Sequence, residues 1–407
     1  MHTLLSFLGK SRADSKHGYR TANYNFNGTL KETAYFGLAL TETIRPDKLI
    51  LIGTSGSMWD VFFQDIQNEE HVLVLMEAVE NNATTAELLS PCIPQLSKHL
   101  GCDVECLIID YATSEAEQIN LLLKIAAKLE HGQHISMDVT HSFRHLPMLA
   151  LVASRYLHTT KDILTDNIYY GALDMTDQNK KTTPVIELKG MLKMLEWTDA
   201  LAAYDKDGDY FPFAELYRAE GQKNAADALE KAAFFEKTNQ IGKARTPLKI
   251  FRDIDEITPI NSLFIDELNQ RTNWVDGENF AHRQISMAQN HLNKNNYLRS
   301  AVLAQEAFIS HLVHISPRSY NDSQNYNHRE DARKTFDEQR KKTPKAKRSE
   351  LQNTYKILTN LRNSLAHGTP PKIAELQSVF SDEQKLQTLM QHCIDTIRQA
   401  IEKGQTE

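Results

Sequence analysis

The stretch KLILIGTSGSM, residues 48–58, runs through four consecutive aliphatic residues, Leu49 to Ile52, and opens into Gly53, Thr54, Ser55, Gly56 and Ser57. An apolar run without alternation fits a strand covered on both faces, which is the habit of parallel sheets flanked by helices. The same form recurs along the first half. TLLSFL (Thr3 to Leu8) leads into Gly9, Lys10 and Ser11, VECLIID ends at Asp110 and HISMDVT at Thr140. Helical patterns such as EAEQINLLLKIAAKL follow the later runs. Strands alternating with helices predict a parallel α/β sheet of Rossmann-like type. YRTANYNFNGTLKETAYF alternates around Asn27 and Gly28 and predicts a hairpin. NIYYGAL and PVIEL are expected to close this half.

Beyond Trp197 the pattern changes. AAYDKDGDYFPF reads as a polar join, after which helical periodicity dominates: AADALEKAAFFEK, LRSAVLAQEAFISHLVHI, ELQNTYKILTNLRNSLAH and QKLQTLMQHCIDTIRQAIEK. The expected organisation is an α/β domain over residues 1–203 and an all-α domain over 204–407. Residues 317–349 lack periodicity and read as a polar, basic, mobile insertion. They carry Arg329, Arg333, Lys334, Arg340, Lys341, Lys342, Lys345, Lys347 and Arg348.

Composition bounds the function. The 407 residues are 41% hydrophobic and 24% charged with a formal net charge of -7, so any nucleic-acid site has to be a local basic feature. The mean hydropathy of -0.47 and the lack of a long apolar run argue against a membrane protein. MHTLLSFLGKSR reads as a first strand rather than a signal peptide. Cys92, Cys102, Cys106 and Cys393 lack metal-ligand spacing and fit a reducing cytoplasm. No metal site is expected.

Ligands of open parallel sheets bind beyond the carboxyl ends of the strands. Three loops belong to that edge: Gly9-Lys10-Ser11, Gly53-Thr54-Ser55-Gly56-Ser57, and the loop carrying Asp138, Thr140, His141, Ser142 and Arg144. They offer backbone N–H groups, hydroxyls, an imidazole and two cations, a chemistry suited to anionic oxygens. Taken singly each has a plain structural reading as a helix cap, a buried histidine or a surface pair. Together they predict a phosphate-rich ligand. The second loop is neither GxxxxGK[ST] nor GxSxG.

The run MDVTHSFRHLPMLAL, residues 137–151, resembles the DxTHG motif of CRISPR-associated proteins and the helix start that follows it, with TLLSFLG and PDKLILIGT as further matches. Ser142 stands where that motif has Gly. The resemblance, over most of residues 1–200, implies a CARF domain that binds a cyclic oligoadenylate, with cyclic tetraadenylate the expected form, as an allosteric activator at a dimer interface.

Near the C-terminus, LRNSLAHG (residues 361–368) sets Arg362 and His367 five residues apart, which on a helix is a turn of roughly 140°. Either the helix ends between them and His367 swings free, or other groups complete the pair. Gly368-Thr369-Pro370-Pro371 supports the first option. A helical domain with R-x4-6-H behind a CARF domain resembles the HEPN ribonucleases of type III CRISPR systems. That resemblance implies a metal-independent endoribonuclease acting on single-stranded RNA, with Arg362, Asn363 and His367 at its centre and a homodimer, or a higher assembly of dimers, completing it. The chemistry agrees: an imidazole moves protons, a fixed cation holds the phosphorane charge, and the RNA's own 2′-OH attacks. Without the resemblance, Arg362 reads as a helix surface pair and His367 as a helix cap. Glu306, His311 and His314 read as core or ion-pair residues. A sensor without nuclease activity, and a first domain that degrades its cyclic ligand, are the alternatives.

Overall fold

The computed structural model describes residues 1–10, 19–62, 69–141, 145–254, 258–316 and 322–404. These fall into two compact units, Met1–Leu195 and Glu196–Glu407.

The first unit is built on an eight-stranded sheet: β1 (His2–Leu8), β2 (Ala22–Phe26), β3 (Thr29–Thr33), β4 (Lys48–Thr54), β5 (Asp103–Ile109), β6 (His134–Asp138), β7 (Leu164–Gly171) and β8 (Thr183–Glu187), in the order β3-β2-β8-β7-β6-β1-β4-β5. From β7 to β5 every pairing is parallel, while β8 runs antiparallel to β7 and β3 to β2. Alternate residues of one strand enter opposite cores: Leu5, Phe7, Ile50 and Ile52 pack on one face, Leu4, Leu8, Leu49 and Leu51 on the other. Burial on both faces is what removes alternation from these runs. The hairpin turns at Asn27 and Gly28, both at positive φ (50° and 100°), the backbone that suits the strand twist. β1 sits between β4 and β6, so successive connections leave it in both directions and open a crevice beyond its carboxyl end.

The second unit is helical. Its helices, among them Lys223–Lys237, Phe280–Asn293, Tyr297–His314, Glu350–His367 and Glu383–Lys403, enclose a core that includes Tyr217, Phe251, Phe308, Leu358 and Ile394. The boundary expected after residue 203 falls inside a helix, Lys189–Asp207, whose buried Trp197, Ala200 and Tyr204 recur at helical spacing through the supposed join. Only Gly208, at φ 76°, ends it.

The reading of residues 317–349 as a mobile insertion needs correction. Residues 317–321 lie outside the described residues, and Tyr326–Lys342 is an α-helix. Asn325 caps it by accepting from the amides of Asn327 and His328. Ala332, Phe336 and Arg340, four residues apart, form its buried stripe. Arg333 and Lys334 pair with Glu330, and Arg340 with Asp337, at helical spacing. A stripe whose third member is an arginine carries no apolar period. No described helix is long and apolar enough to cross a membrane.

Candidate functional site

At the carboxyl edge of the sheet the loops expected to hold a ligand meet. Gly9 follows β1, and a Cβ there would lie 1.7 Å from the carbonyl oxygen of His141, so only glycine lets the two loops touch. Asp138, fully buried at the end of β6, accepts from Ser6 Oγ at 2.5 Å and from the Thr140 amide at 2.9 Å. Burial pushes its carboxyl up to about 6, against the pull of those donors. Thr140 Oγ1 accepts from the Gly171 amide at 2.8 Å, which ties the loop to the end of β7. His141 Nε2 accepts from the Phe36 amide at 3.1 Å, so the neutral ring carries its proton on Nδ1. Desolvation holds its pKa down, to about 4.

Gly9, Lys10, Thr140 and His141 line one cavity of about 760 Å³. Arg20 and Lys181, with Asn23, Asp174 and Gln178, are among the other residues of its wall. Three cations stand against one carboxylate, and among the described residues neither Arg20 nor Lys181 forms an ion pair. The cavity therefore favours an anion of nucleotide size or larger. No sequence motif marked Arg20, Gln178 or Lys181. They arrive through the parallel pairing of β2 with β8, a contact between distant segments (Tyr24 with Thr183).

The loop from Gly53 to Ser57 has a different part. Ser57 Oγ donates to the Leu8 carbonyl at 2.7 Å and accepts from the Thr54 amide at 2.9 Å, and Thr54 Oγ1 lies 3.2 Å from it. Gly53 packs against Trp59, and Gly56 against Asn82, whose Oδ1 accepts from Lys10 Nζ at 2.8 Å. Thr54, Gly56 and Ser57 are buried, Ser55 is half-buried, and none of the five lines the cavity. This loop braces the Gly9 turn. Ser11, Ser142 and Arg144 lie outside the described residues.

In the helical unit, Glu350–His367 runs unbroken past both residues of interest and is capped by Gly368 at φ 63°. The helix does not end between Arg362 and His367. Arg362 and Asn363 instead line a cavity of about 460 Å³. Arg362 Nε donates to Gln305 Oε1 at 3.1 Å and Nη1 to Asn363 Oδ1 at 3.0 Å. Buried Gln305 is fixed in turn through Nε2 to Thr359 Oγ1 at 3.1 Å. Among the described residues Arg362 pairs with no carboxylate, and its Nη2 has no partner. His367, in the last turn, is exposed and outside that cavity. One chain thus holds the guanidinium and leaves the imidazole on a separate part of its surface. Glu306 pairs with Arg329 and His311 is buried, while His314 is exposed.

Comparison with known proteins places the first of these sites in a family context. Residues 3–173 match the family model of the CARF domain of the CRISPR system endoribonuclease Csx1, which takes in β1 to β7. The chain is 24% identical to CRISPR-associated protein MJ1674 of Methanocaldococcus jannaschii, in an alignment covering 91% of this chain. It spans 63% of that relative's length. Among solved structures, Enterococcus italicus Csm6 bound to cyclic hexa-2′-fluoro-hexa-dAMP aligns with a TM-score of 0.39 and 12% identity, over 100% of this chain and 96% of that one.

Proposed function

We propose that the protein is a metal-independent endoribonuclease of CRISPR defence, switched on by a cyclic oligoadenylate bound in the 760 Å³ cavity. The similarity of residues 3–173 to a CARF domain and the cationic wall of the cavity support the ligand class. The observation that carries the nuclease reading is the state of Arg362. Its guanidinium is aimed by two neutral amides and, among the described residues, pairs with no carboxylate and keeps a free N–H edge on a cavity wall, five residues before an exposed histidine. A buried ion pair would have consumed that charge.

A single strand of RNA lies with one phosphate against Arg362. One imidazole takes the proton of the 2′-OH as its oxygen bonds to phosphorus, and the P–O5′ bond breaks as a second imidazole protonates the leaving oxygen. The products are a 2′,3′-cyclic phosphate and a 5′-OH. The second imidazole is His367 of the partner subunit, since a two-fold pair supplies two of each group. Ile119 and Leu123 on the helix Glu115–Ala127, and Met148 and Val152 on the helix Leu146–Lys161, are more than half exposed. Apolar stripes of this kind support association of two copies. Ligand held between two first domains then biases how the catalytic halves meet.

The test is cleavage of single-stranded RNA with a panel of cyclic oligoadenylates, with EDTA present. Cutting above the ligand-free level is expected only with one ring size, to survive the chelator, and to stop when the scissile ribose is 2′-deoxy. Inhibition by EDTA reversed by Mg²⁺ would overturn the mechanism. Binding of a cyclic oligoadenylate without any cutting would leave a sensor and remove the nuclease.

A further inference from the structure

The cavity beside Arg362 has a second wall that the cleavage mechanism does not use. The helix Tyr326–Lys342 presents Tyr326, Glu330, Arg333 and Asp337 to it, at spacings that place them on one face. This face is distinct from the buried stripe of Ala332, Phe336 and Arg340. Its charges are balanced. Arg329 is neutralised by Glu306, and Arg333 by Glu330, at 2.9 Å, and by Asp337, at 3.8 Å. Of the guanidinium groups in the cavity, Arg362 alone is unpaired among the described residues. A site for phosphate would leave its cations free. This wall offers instead paired donors and acceptors beside one free cation, which is the requirement for an uncharged, hydrogen-bonding group attached to a phosphate.

Tyr326 supplies what such a group would stack on. It is 77% exposed, at the first turn of its helix, and makes no ring contact with another aromatic among the described residues. The other tyrosine of the cavity, Tyr355, is locked in the core between Phe308 and Phe336. An aromatic side chain of that size left in water, at the rim of a cavity with paired polar groups, matches the way single-stranded RNA is read: a splayed base stacks on a ring and its edge meets fixed donors and acceptors.

We propose that this cavity binds a guanine of the RNA strand next to the phosphate held by Arg362, with Tyr326 stacked on the base and the Glu330–Arg333 pair reading its edge. The assignment rests on the ribonuclease reading for the identity of the strand. Guanine is the base with two adjacent donors, N1–H and the 2-amino group, beside two adjacent acceptors, O6 and N7. A carboxylate matches the first pair and a guanidinium the second. Glu330 Oε1 accepts from Arg333 Nη2 and lies 3.2 Å from the exposed Lys334, and Oε2 accepts from Nε and the same, shared Nη2. The guanine donors therefore enter by displacing Lys334 and the shared contact, while Arg333 has N–H groups beyond those it gives Glu330.

The test is equilibrium binding, by fluorescence anisotropy, of the full chain carrying His367→Ala, which leaves the RNA uncut. The probes are oligouridylates with one central guanosine, inosine, 7-deazaguanosine or uridine. Guanosine is expected to bind about tenfold tighter than uridine, and inosine, which lacks only the 2-amino group, to lose most of that gain. Tyr326→Ala should lower guanosine binding about tenfold and Tyr326→Phe should restore it. Glu330→Gln should erase the difference between guanosine and inosine. Equal binding of all four probes, an unchanged preference in Tyr326→Ala, or no RNA binding at all would overturn the assignment. A guanosine preference in a protein whose unmutated form cuts no RNA would instead leave the assignment standing and sink the nuclease. Cutting without base preference would do the reverse.

Discussion

The two candidate sites differ in how complete one chain makes them. At the sheet edge, turns from β1, β6, β2 and β8 converge on a single cavity, and the β6 loop that shapes it is bonded into place before any ligand arrives: Asp138, beneath the cavity wall, by Ser6 and Thr140, Thr140 by Gly171, His141 by Phe36. In the helical unit the chain orients one half, Arg362 on Gln305 and Asn363, and leaves the other, His367, exposed on the last turn of the same helix. The first arrangement is that of a receptor whose geometry is fixed in advance. On the reading proposed above, the second is a site that waits for another copy, its activity open to control by whatever brings copies together.

The largest effect should come from the incomplete site. His367→Ala is expected to lower RNA cleavage by about 10²–10⁴-fold, the range for lost proton transfer, with binding of cyclic oligoadenylate and thermal unfolding unchanged because the residue is exposed. Arg362→Ala should match it. If the site is shared across a dimer and uses both imidazoles, mixing His367→Ala with wild-type chains should lower cleavage more than in proportion to the wild-type share, because a mixed dimer holds only one imidazole. Activity in strict proportion to the wild-type share would place a complete site in each chain and break the comparison.

The complete site should fail through its backbone. Gly9→Ala puts a methyl on the His141 carbonyl, a contact that neither loop can absorb without moving, and overpacking of this kind costs about 1–3 kcal/mol. The expected outcome is a lower melting temperature and a loss of about tenfold or more in ligand affinity by calorimetry, while basal RNA cleavage per folded molecule is kept. Gln305→Leu tests the other side more gently. It removes the acceptor of Arg362 Nε, and cleavage should fall about tenfold in kcat with little change in KM. Gln305→Asn, a neutral amide that still offers an acceptor, should keep more of the rate. An equal loss in both variants would mean that the position only packs.

Much of the fold was legible in the sequence, for a physical reason. Strands buried on both faces, as at Leu49 to Ile52, leave an apolar run that little else produces, and Asn27-Gly28 carries the turn it needs in two residues. The helix Tyr326–Lys342 was not legible, because ion pairs and a buried arginine hold it where an apolar period would be sought. At the sheet edge the Gly9 and Thr140 loops announce themselves by residue type. Arg20 and Lys181 do not, since they join the cavity only through a pairing between segments far apart in the chain. The Ser-Gly loop shows the converse. The Ser57 hydroxyl, which looks ready for an anion, is spent on the backbone of Thr54 and Leu8.

The smallest effect concerns protons in the complete site, where buried Asp138 and half-buried His141 oppose each other. Burial raises Asp138 from 3.8 to about 6, so the folded state holds its proton more tightly than the unfolded chain. Its contribution to stability is full below pH 3.8 and is lost as pH rises through about 6. Desolvation lowers His141 from 6.5 to about 4, so its contribution is full above pH 6.5 and is lost as pH falls through about 4. Across pH 4 to 6 the two slopes have opposite signs and should nearly cancel, leaving hydrogen exchange at β1 and β6, corrected for intrinsic rates, almost independent of pH. His141→Gln, which keeps an acceptor for the Phe36 amide, should uncover the Asp138 slope, with protection rising as pH falls. Asp138→Asn should uncover the other, with protection falling as pH falls. Neither slope can exceed about tenfold per pH unit, the limit for one proton. A wild-type profile that is steep in either direction would show that one of the two groups titrates elsewhere, and that the sheet-edge site is less fixed than its hydrogen bonds imply.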